Sequence, residues 1–412
     1  MTAPAHSVAA ADLILRHRPF MLFWSARGFG SMAYQIQGVA VGWQVYDLTH
    51  DPLSLGLVGL AQFLPALLLA LPAGHIVDRY PRRTVYRLCL AIEALGALLL
   101  GLGSIIGGLG VVGIYAIAAL FGAARAFEHP ASSSLLPGLV SRQSFGRAVA
   151  WNSSVGQTAT LIGPMLGGLL YAFGPAAAYA GCALGFVAAG LLIAAVPKPA
   201  PTQTAAKPTL RSVFAGLAFI RAERAILGAI SLDLFAVLLG GTVALLPIYA
   251  RDILDAGPLG LGLLRSAPAL GGLGIGMILA FFPLARHAGW TMFAAVATFG
   301  LATCVFAISH DFALSCAALA VLGGADMISV FVRASFVQLS TPDAMRGRVS
   351  AVNAIFIGTS NQLGEFESGV TAAWFGAEAA VLIGGIGTLA VVAIWLVLFP
   401  ELRRIDRLVS KP

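Results

Sequence analysis

One pattern of residues occurs twice in this sequence, at a spacing close to half the chain. The pattern Gly146-Arg147-x4-Asn152-x10-Gly163-x4-Gly168 recurs 201 residues later as Gly347-Arg348-x4-Asn353-x10-Gly364-x4-Gly369 in a chain of 412 residues. Internal repetition at a fixed offset indicates two related structural units in tandem. Because 58% of the residues are hydrophobic, we expect these units to be bundles of membrane helices.

The charge content supports a membrane protein made of helices. Only 10% of the residues are charged, whereas a soluble domain carries roughly 25%. A membrane-spanning helix needs about 20 predominantly apolar residues. We predict an all-α protein with twelve such helices, an even number that places both termini on one side, at 20–46, 54–77, 85–107, 110–138, 149–172, 176–196, 213–249, 259–283, 289–309, 312–339, 347–372 and 377–399.

The distribution of basic residues predicts which side holds the termini. Most Lys and Arg residues lie in the two tails and in the even-to-odd connections, whereas the opposite loops contain Arg251 alone. Basic loops stay in the cytoplasm, so both termini are expected there. The net charge of +7 is then a signal of topology and does not indicate nucleic-acid binding. The tail before Phe20 lacks the pattern of a signal peptide, so we expect the first span to be retained.

A segment rich in Pro, Thr and Ala divides the chain. Residues 197–208 have the composition of an extended linker, and 209–224 have helical apolar spacing with basic flanks. The latter stretch is either a helix entering from the membrane surface or a cytoplasmic extension of the seventh span. We predict a cytoplasmic tail, a six-helix bundle, a linker, a second bundle and another cytoplasmic tail, at 1–19, 20–196, 197–212, 213–400 and 401–412.

No cofactor, metal site or catalytic centre is expected from the sequence. The four cysteines lie inside apolar spans at no metal-ligand spacing and are expected to be packing residues; they are Cys89, Cys182, Cys304 and Cys316. The sequence also lacks a phosphate-binding loop of the G-x-x-x-x-G-K-[ST] type and a Ser-His-Asp arrangement. The chain is therefore expected not to be an enzyme, and any transport is driven by a gradient or is passive.

The connection between the second and third spans carries a family signature. Its sequence, Gly74-His-Ile-Val-Asp78-Arg79-Tyr-Pro81-Arg82-Arg83, resembles the G-x-x-x-D-R-x-G-R-R/K loop of the major facilitator superfamily, with Pro81 in place of the usual glycine. The resemblance implies two pseudo-symmetric six-helix bundles and a gate formed by this loop, with Gly74, Asp78, Arg79, Arg82 and Arg83 as gating residues. The alternative is a charge cluster that only marks the cytoplasmic face.

The fifth span contains a second signature. Gly163-Pro164-x-x-Gly167-Gly168 resembles the motif of the exporter and drug:proton antiporter branches, although Ala159 stands where those branches usually have another glycine. The proline predicts a bend and the glycines predict close helix packing, and we count Gly163, Pro164, Gly167 and Gly168 among the gating residues. Three further stretches resemble the bacterial siderophore-exporter branch, typified by the enterobactin exporter: 51–56, 62–65 and 130–137. These resemblances imply proton-coupled export across a bacterial inner membrane by alternating access.

Ionisable residues inside the spans are the main functional candidates. Each costs about 2.5–3.5 kcal/mol on insertion scales and therefore usually faces a partner or a cavity. Ten residues qualify, namely Arg27, Glu93, Arg125, Glu128, Asp233, Arg265, Asp326, Arg333, Glu365 and Glu367. From these we select as proton-coupling residues Glu128, Asp233, Asp326, Glu365 and Glu367.

Two pairs of these residues have informative spacing. Arg125 and Glu128 are three residues apart, a spacing at which side chains on a helix can pair. Glu128 is the first candidate for a proton carrier, because movement of the arginine would alter its affinity for a proton; a static ion pair is the alternative. Glu365 and Glu367 point about 200° apart on a helix, so at most one of them faces a central cavity.

The first span presents a polar stripe, and family resemblance places the first and seventh spans along a central cavity. Arg27 and Asp233 are then expected at a water-filled interface, where they could meet, although Arg27 could instead extend to the head groups. Predicted cavity residues are Arg27, Tyr34, Gln35, Arg125, Gln157, Arg333 and Asn361.

The sequence leaves the cargo and the direction of transport open. The arginines within the spans favour an anionic siderophore-like substrate, whereas the spare acids favour a cationic drug. A proton-coupled uptake permease and a non-transporting sensor on the same fold remain alternatives to an exporter. The expected partners are a small molecule, protons and the lipid bilayer, for a chain that acts as a monomer.

Overall fold

The computed structural model describes residues 16–141, 143–197, 210–282 and 286–406, and this part of the chain contains helices and no β-strand. The residues form two compact units, one within Met1–Thr49 and Ala61–Thr204 and the other within His50–Leu60 and Ala205–Pro412. Most of the predicted linker at 197–212, and the outer parts of both predicted tails, lie outside the described residues.

Six long helices precede the predicted linker. They are α1 (Arg18–Thr49), α2 (Pro52–Arg79), α3 (Arg82–Ile106), α4 (Val111–Leu135), α5 (Phe145–Ala172) and α6 (Pro175–Ala195). The beginning of α2 is grouped with the second unit, where Gly56 touches the backbone of α12 (Asp343–Phe375) at Phe366 and Gly369. Helix α2 therefore contributes residues to both units.

The second unit begins with a broken span. Helices α7 (Leu210–Ala222) and α8 (Arg224–Leu239) are followed by a 3₁₀ turn (Thr242–Leu245), a helical turn (Leu246–Ile248) and a π turn (Tyr249–Ile253). The single span predicted at 213–249 is thus divided, with Glu223 and Gly240 at the breaks. The remaining helices are α9 (Gly257–Phe281), α10 (Ala288–Ala307), α11 (Phe312–Ser340), α12 (Asp343–Phe375), α13 (Ala377–Leu398) and the short α14 (Pro400–Arg403).

Nine helical segments of the described chain are long and apolar enough to cross a membrane. Helices α1, α5 and α12 have the length for a span, but they are not among these nine. They carry the polar stripe of the first span and the two copies of the repeated pattern. The twelve-span count therefore remains a prediction, in which these three helices are the polar members.

Each unit has its own hydrophobic core. In the first unit α1 packs on α5 and α6, and α3 packs on α4 and α6, with Phe20, Phe23, Tyr86 and Phe186 fully buried among them. In the second unit α11 packs on α9 and α10, while α13 packs on α8 and α10. These helices bring the ionisable residues of each unit toward its interior.

Candidate functional site

The α2–α3 connection is held to the ends of two other helices by its arginines. Arg82 donates a hydrogen bond to the carbonyl of Ser134, at 2.9 Å, near the end of α4. Arg83 donates to the carbonyls of Ala194, at 2.8 Å, and Val196, at the end of α6. Cations at helix C-termini satisfy free carbonyls and complement the helix dipole, so both arginines stabilise the first unit.

The other residues of this loop are placed differently. Asp78 and Arg79 are exposed, Asp78 has an interaction partner, and no atom lies near the position of a Cβ on Gly74. The gating role of the five loop residues, and of the four residues of the fifth-span motif, stays a prediction.

Replacing Arg83 with alanine is expected to lower the stability of the protein. The substitution removes two charge-assisted hydrogen bonds, each worth about 1.5–3 kcal/mol, so we expect a loss of about 2 kcal/mol after partial solvation of the carbonyls. Arg87→Ala is the matched control, because Arg87 is exposed on the same helix. Thermal unfolding in detergent would measure both variants, and equal midpoints for the two would contradict the assigned role.

The glycines of the fifth-span motif permit close approach of α5 and α1. A Cβ on Gly163 would overlap the side chain of Gln35, and a Cβ on Gly167 would lie 3.1 Å from the Ile36 backbone. Pro164 and Gly168 are buried in the same helix. The motif therefore forms a tight helix crossing within the first unit, and Gln35 packs at this crossing.

An ion pair lies on α4 of the first unit, on the side of that helix that contacts α1. Arg125 Nη1 is 2.9 Å from Glu128 Oε2, which confirms the predicted pairing. The Arg125 guanidinium carbon is also 3.4 Å from the centroid of the Tyr34 ring, a cation–π contact. The Glu128 side chain is only 5% exposed, whereas that of Arg125 is 32% exposed. Arg125 is therefore the more accessible partner of the pair.

Arg27 lies close to this pair and reaches α4. Its Nη1 donates to Ser132 Oγ over 3.4 Å, while its Nε is buried without a hydrogen-bond partner. The hydroxyl of Tyr86 on α3 is likewise buried without one. Tyr86 lies within electrostatic range of Arg27 and Glu128, so these groups form one polar cluster in an otherwise apolar core.

The second unit contains a more deeply buried ion pair. Arg333 Nη2 on α11 is 3.0 Å from Asp233 Oδ2 on α8, and Arg333 Nη1 donates to Asn353 Oδ1 on α12 at 3.2 Å. Asp233 thus has Arg333 as its ion-pair partner, and Arg27 bonds Ser132 in its own unit.

The repeated pattern shows how the two units have diverged. Asn353 accepts from Arg333, whereas Oδ1 of its counterpart Asn152 is buried without a partner. The residue 201 positions before Arg333 is Ser132, which accepts from Arg27. The repeated position therefore carries the arginine itself in one unit and a serine that binds an arginine in the other.

A small cavity in the second unit brings two predicted proton-coupling residues to one wall. Its lining includes Asp233, Asp326 and Ser329, together with apolar residues such as Phe299. Asp326 is half-buried and lies within electrostatic range of Asp233 and Arg333. The cavity therefore offers the carboxylates of Asp233 and Asp326 as hydrogen-bond acceptors and the hydroxyl of Ser329 as a donor or acceptor. It lies beside the buried ion pair.

Glu365 and Glu367 have different surroundings, as their spacing predicts. The carboxylate of Glu365 lies against Gly59 and within electrostatic range of Arg265. Glu367 Oε1 accepts from Thr371 on its own helix at 2.7 Å. Of the two, Glu365 is the acid that lies within electrostatic range of a basic residue.

The predicted cavity residues Gln157 and Asn361 are exposed on α5 and α12.

Residues 10–412 match the family described as transmembrane secretion effector. The chain belongs to this family. It is 28% identical over 405 residues to the enterobactin exporter EntS of Shigella boydii serotype 18, covering 95% of this chain and 94% of that protein.

Solved transporter structures share the fold of this secretion effector family member. A bacterial homologue of the human lysosomal transporter Spinster has a TM-score of 0.72 at 13% identity, covering 94% of this chain and 97% of that one. A POT family transporter in complex with a thioalcohol-conjugated peptide has a TM-score of 0.73 at 13% identity, covering 93% and 96%. The structural neighbours are transporters of the major facilitator type, so the chain has that fold.

One buried acid of this secretion effector family member was not among the predicted proton-coupling residues. Glu93 on α3 is 1% exposed, lies within electrostatic range of Glu128, and has no hydrogen-bond partner on either carboxylate oxygen. It counted among the ten ionisable residues inside spans, but it has no basic residue three or four positions away on its own helix. The sequence therefore marked Glu93 as a functional candidate only because it is an acid within an apolar span.

Proposed function

We propose that this protein is a secondary active transporter that exports a small, siderophore-like organic molecule in exchange for protons. It works by alternating access in a bacterial inner membrane, with both termini in the cytoplasm. The similarity to an enterobactin exporter extends over nearly the whole chain, which supports the direction and the class of cargo. The glycine–proline motif at the α1–α5 crossing supports the same direction.

Proton coupling is supported chiefly by the Arg125–Glu128 pair. An ionisable pair inside a membrane bundle is costly, and such residues commonly mark proton relays. Glu128 is buried while its arginine is partly exposed, so a ligand can compete for the guanidinium without touching the carboxylate. On this proposal, protonation of Glu128 removes the charge that holds Arg125 and shifts the conformational equilibrium, and cargo and proton are bound in alternate states of the transporter.

The partly exposed Arg125 side chain also indicates the chemistry of the cargo. A planar guanidinium forms paired hydrogen bonds with carboxylates and similar anions, and the neighbouring Tyr34 ring offers a stacking surface. An acidic or catechol-bearing siderophore suits these groups, and Arg27 adds a second positive charge nearby. A cationic drug would instead be repelled by the two arginines.

Transport into proteoliposomes under an imposed pH gradient tests this function. Siderophores and cationic dyes would be offered to vesicles that are more acidic inside or outside. Antiport predicts accumulation driven by protons leaving the vesicle, whichever way the protein is inserted. Accumulation driven by entering protons would identify an uptake symporter, and no response to either gradient would favour facilitated diffusion or a sensor.

Replacing Glu128 with glutamine is expected to abolish this accumulation. The amide keeps the shape of the side chain but cannot exchange a proton, so accumulation falls to the level of protein-free vesicles. Glu378→Gln is the control, because Glu378 is a half-exposed acid that pairs with His310 at 3.1 Å. Full gradient-driven transport by the Glu128 variant would remove Glu128 from the coupling mechanism.

A further inference from the structure

The cavity of the second unit lies where the seventh span is broken. Ala236 and Val237, which line it, belong to the last turn of α8, and this helix ends at Leu239. The last carbonyls of a helix form the negative end of its dipole. In membrane proteins, the ends of interrupted helices commonly coordinate cations. The break at Gly240 therefore places a negative helix end beside the cavity.

Three side chains with oxygen atoms line this cavity from two helices. Asp233 lies on α8, and Asp326 and Ser329 lie on α11. Asp233 is 7% exposed and pairs with Arg333 through Oδ2, and Ser329 is 3% exposed. Within the described part of the chain, Asp233 Oδ1 and the Ser329 hydroxyl make no hydrogen bond. Buried polar atoms of this kind indicate a bound ion or water.

The charges beside the cavity leave one negative charge uncompensated. Arg333 is engaged by Asp233 and by Asn353, so its positive charge balances that of Asp233. Asp326 lies within electrostatic range of this pair but has no ion-pair partner of its own among the described residues. An uncompensated charge inside a membrane bundle is costly. The cavity therefore has a net charge of one carboxylate and favours a ligand with one positive charge.

The neighbouring helices add no basic residue to the lining. Helix α10 contributes two apolar residues, Val296 and Phe299. On α13, Thr388 donates to a backbone carbonyl of α8 at 3.2 Å. On α9, which packs on α11, Arg265 lies within electrostatic range of Glu365. A divalent ion is disfavoured here, because calcium takes about 6–8 oxygen ligands, more than the lining side chains supply.

We propose that the second unit binds one monovalent cation, sodium or hydronium, between the carboxylates of Asp233 and Asp326 and the hydroxyl of Ser329. The cavity has room for about one water molecule, and either cation fits a space of that size. Asp326 is half-buried and is the ligand through which the cation exchanges with water. The site lies in a different unit from the Arg125–Glu128 pair, and cation binding there does not rest on the proposed function.

Binding of radioactive sodium to the purified full-length protein, without cargo and without a gradient, tests the sodium form. At about pH 8, where an ordinary aspartate is ionised, we expect saturable binding that Asp326→Asn abolishes. Ser329→Ala is expected to weaken sodium binding about tenfold, because it removes one neutral ligand and no charge. Asp343→Asn is the matched control, since the Asp343 side chain is 89% exposed, and it is expected to bind sodium as the wild type does.

Proton uptake by the same variants tests the hydronium form. On acidification from about pH 8 to about pH 6, an ordinary exposed aspartate stays ionised. Asp343→Asn is therefore expected to take up as many protons as the wild type, whereas Asp326→Asn takes up fewer. Sodium binding that depends on Asp326 identifies sodium as the ligand, and a difference in proton uptake without sodium binding identifies hydronium.

The outcomes separate the cation site from the proposed function. A folded Asp326→Asn variant that matches the wild type in both measurements would overturn the site. If that variant does not fold, sodium affinity and proton uptake unchanged in Ser329→Ala overturn it instead. Cation binding by a protein that shows no gradient-driven accumulation of cargo would support the site and reject antiport. Glu128→Gln, altered in the other unit, is expected to keep cation binding.

Discussion

Replacing Arg333 with methionine is expected to destabilise the protein by about 3–5 kcal/mol, because the substitution leaves a buried charge without its partner. Asp233 is 7% exposed and Arg333 is 3% exposed, and the two are joined at 3.0 Å. The same substitution also leaves Asn353 without the donor that it now has. Reversible unfolding in mixed micelles would measure the difference in free energy.

The double variant Asp233→Leu/Arg333→Met separates a charge effect from a packing effect. Removing both charges is often neutral or stabilising, so the double variant is expected to recover most of the stability lost in the single one. Arg346→Ala is the control, since Arg346 pairs with Asp343 at 2.8 Å with side chains that are 47% and 89% exposed. Exposed pairs contribute about 0–1 kcal/mol. A double variant as unstable as Arg333→Met would show that packing dominates.

Replacing Gly271 with alanine is expected to disrupt the packing of α9 on α11. A Cβ at this position would overlap the carbonyl of Ala320 on α11, and a Cβ on Gly323 would in turn overlap the carbonyl of Pro268 on α9. Overpacking costs about 1–3 kcal/mol and more where the obstacle cannot move. Because both obstacles are backbone atoms, we expect a loss of at least about 3 kcal/mol and a low yield of folded protein.

Gly274 provides the matched control on the same helix. No atom lies within 4 Å of a Cβ at Gly274, so Gly274→Ala is expected to be neutral, or stabilising by up to about 1 kcal/mol through helix propensity. Yield after size-exclusion chromatography and the midpoint of thermal unfolding would compare the variants. Equal behaviour of the two alanine variants would show that α9 and α11 separate without cost.

The family and the general fold were accessible from sequence because they depend on pattern. Apolar length predicts a membrane helix, and the loop at 74–83 together with the motif at 163–168 indicated the major facilitator superfamily. The pairing of Arg125 with Glu128 was also predictable, since residues three positions apart on one helix are neighbours. The separate helix α7 agrees with one of the two alternatives for 209–224, whose basic residues mark its end. The break at Gly240 was missed, because hydrophobicity continues past this residue while the α-helix ends there.

The sequence by itself determined that this chain is a helical membrane protein with an internal repeat and a family signature, because these properties follow from local composition and spacing. Only the tertiary structure decided that Asp233 bonds Arg333, that Arg83 binds the end of α6, and that Arg27 reaches Ser132 on α4. Each of these contacts joins residues on different helices. Helix crossing and rotation bring them together, and a linear pattern of residues does not encode which faces of two helices will meet.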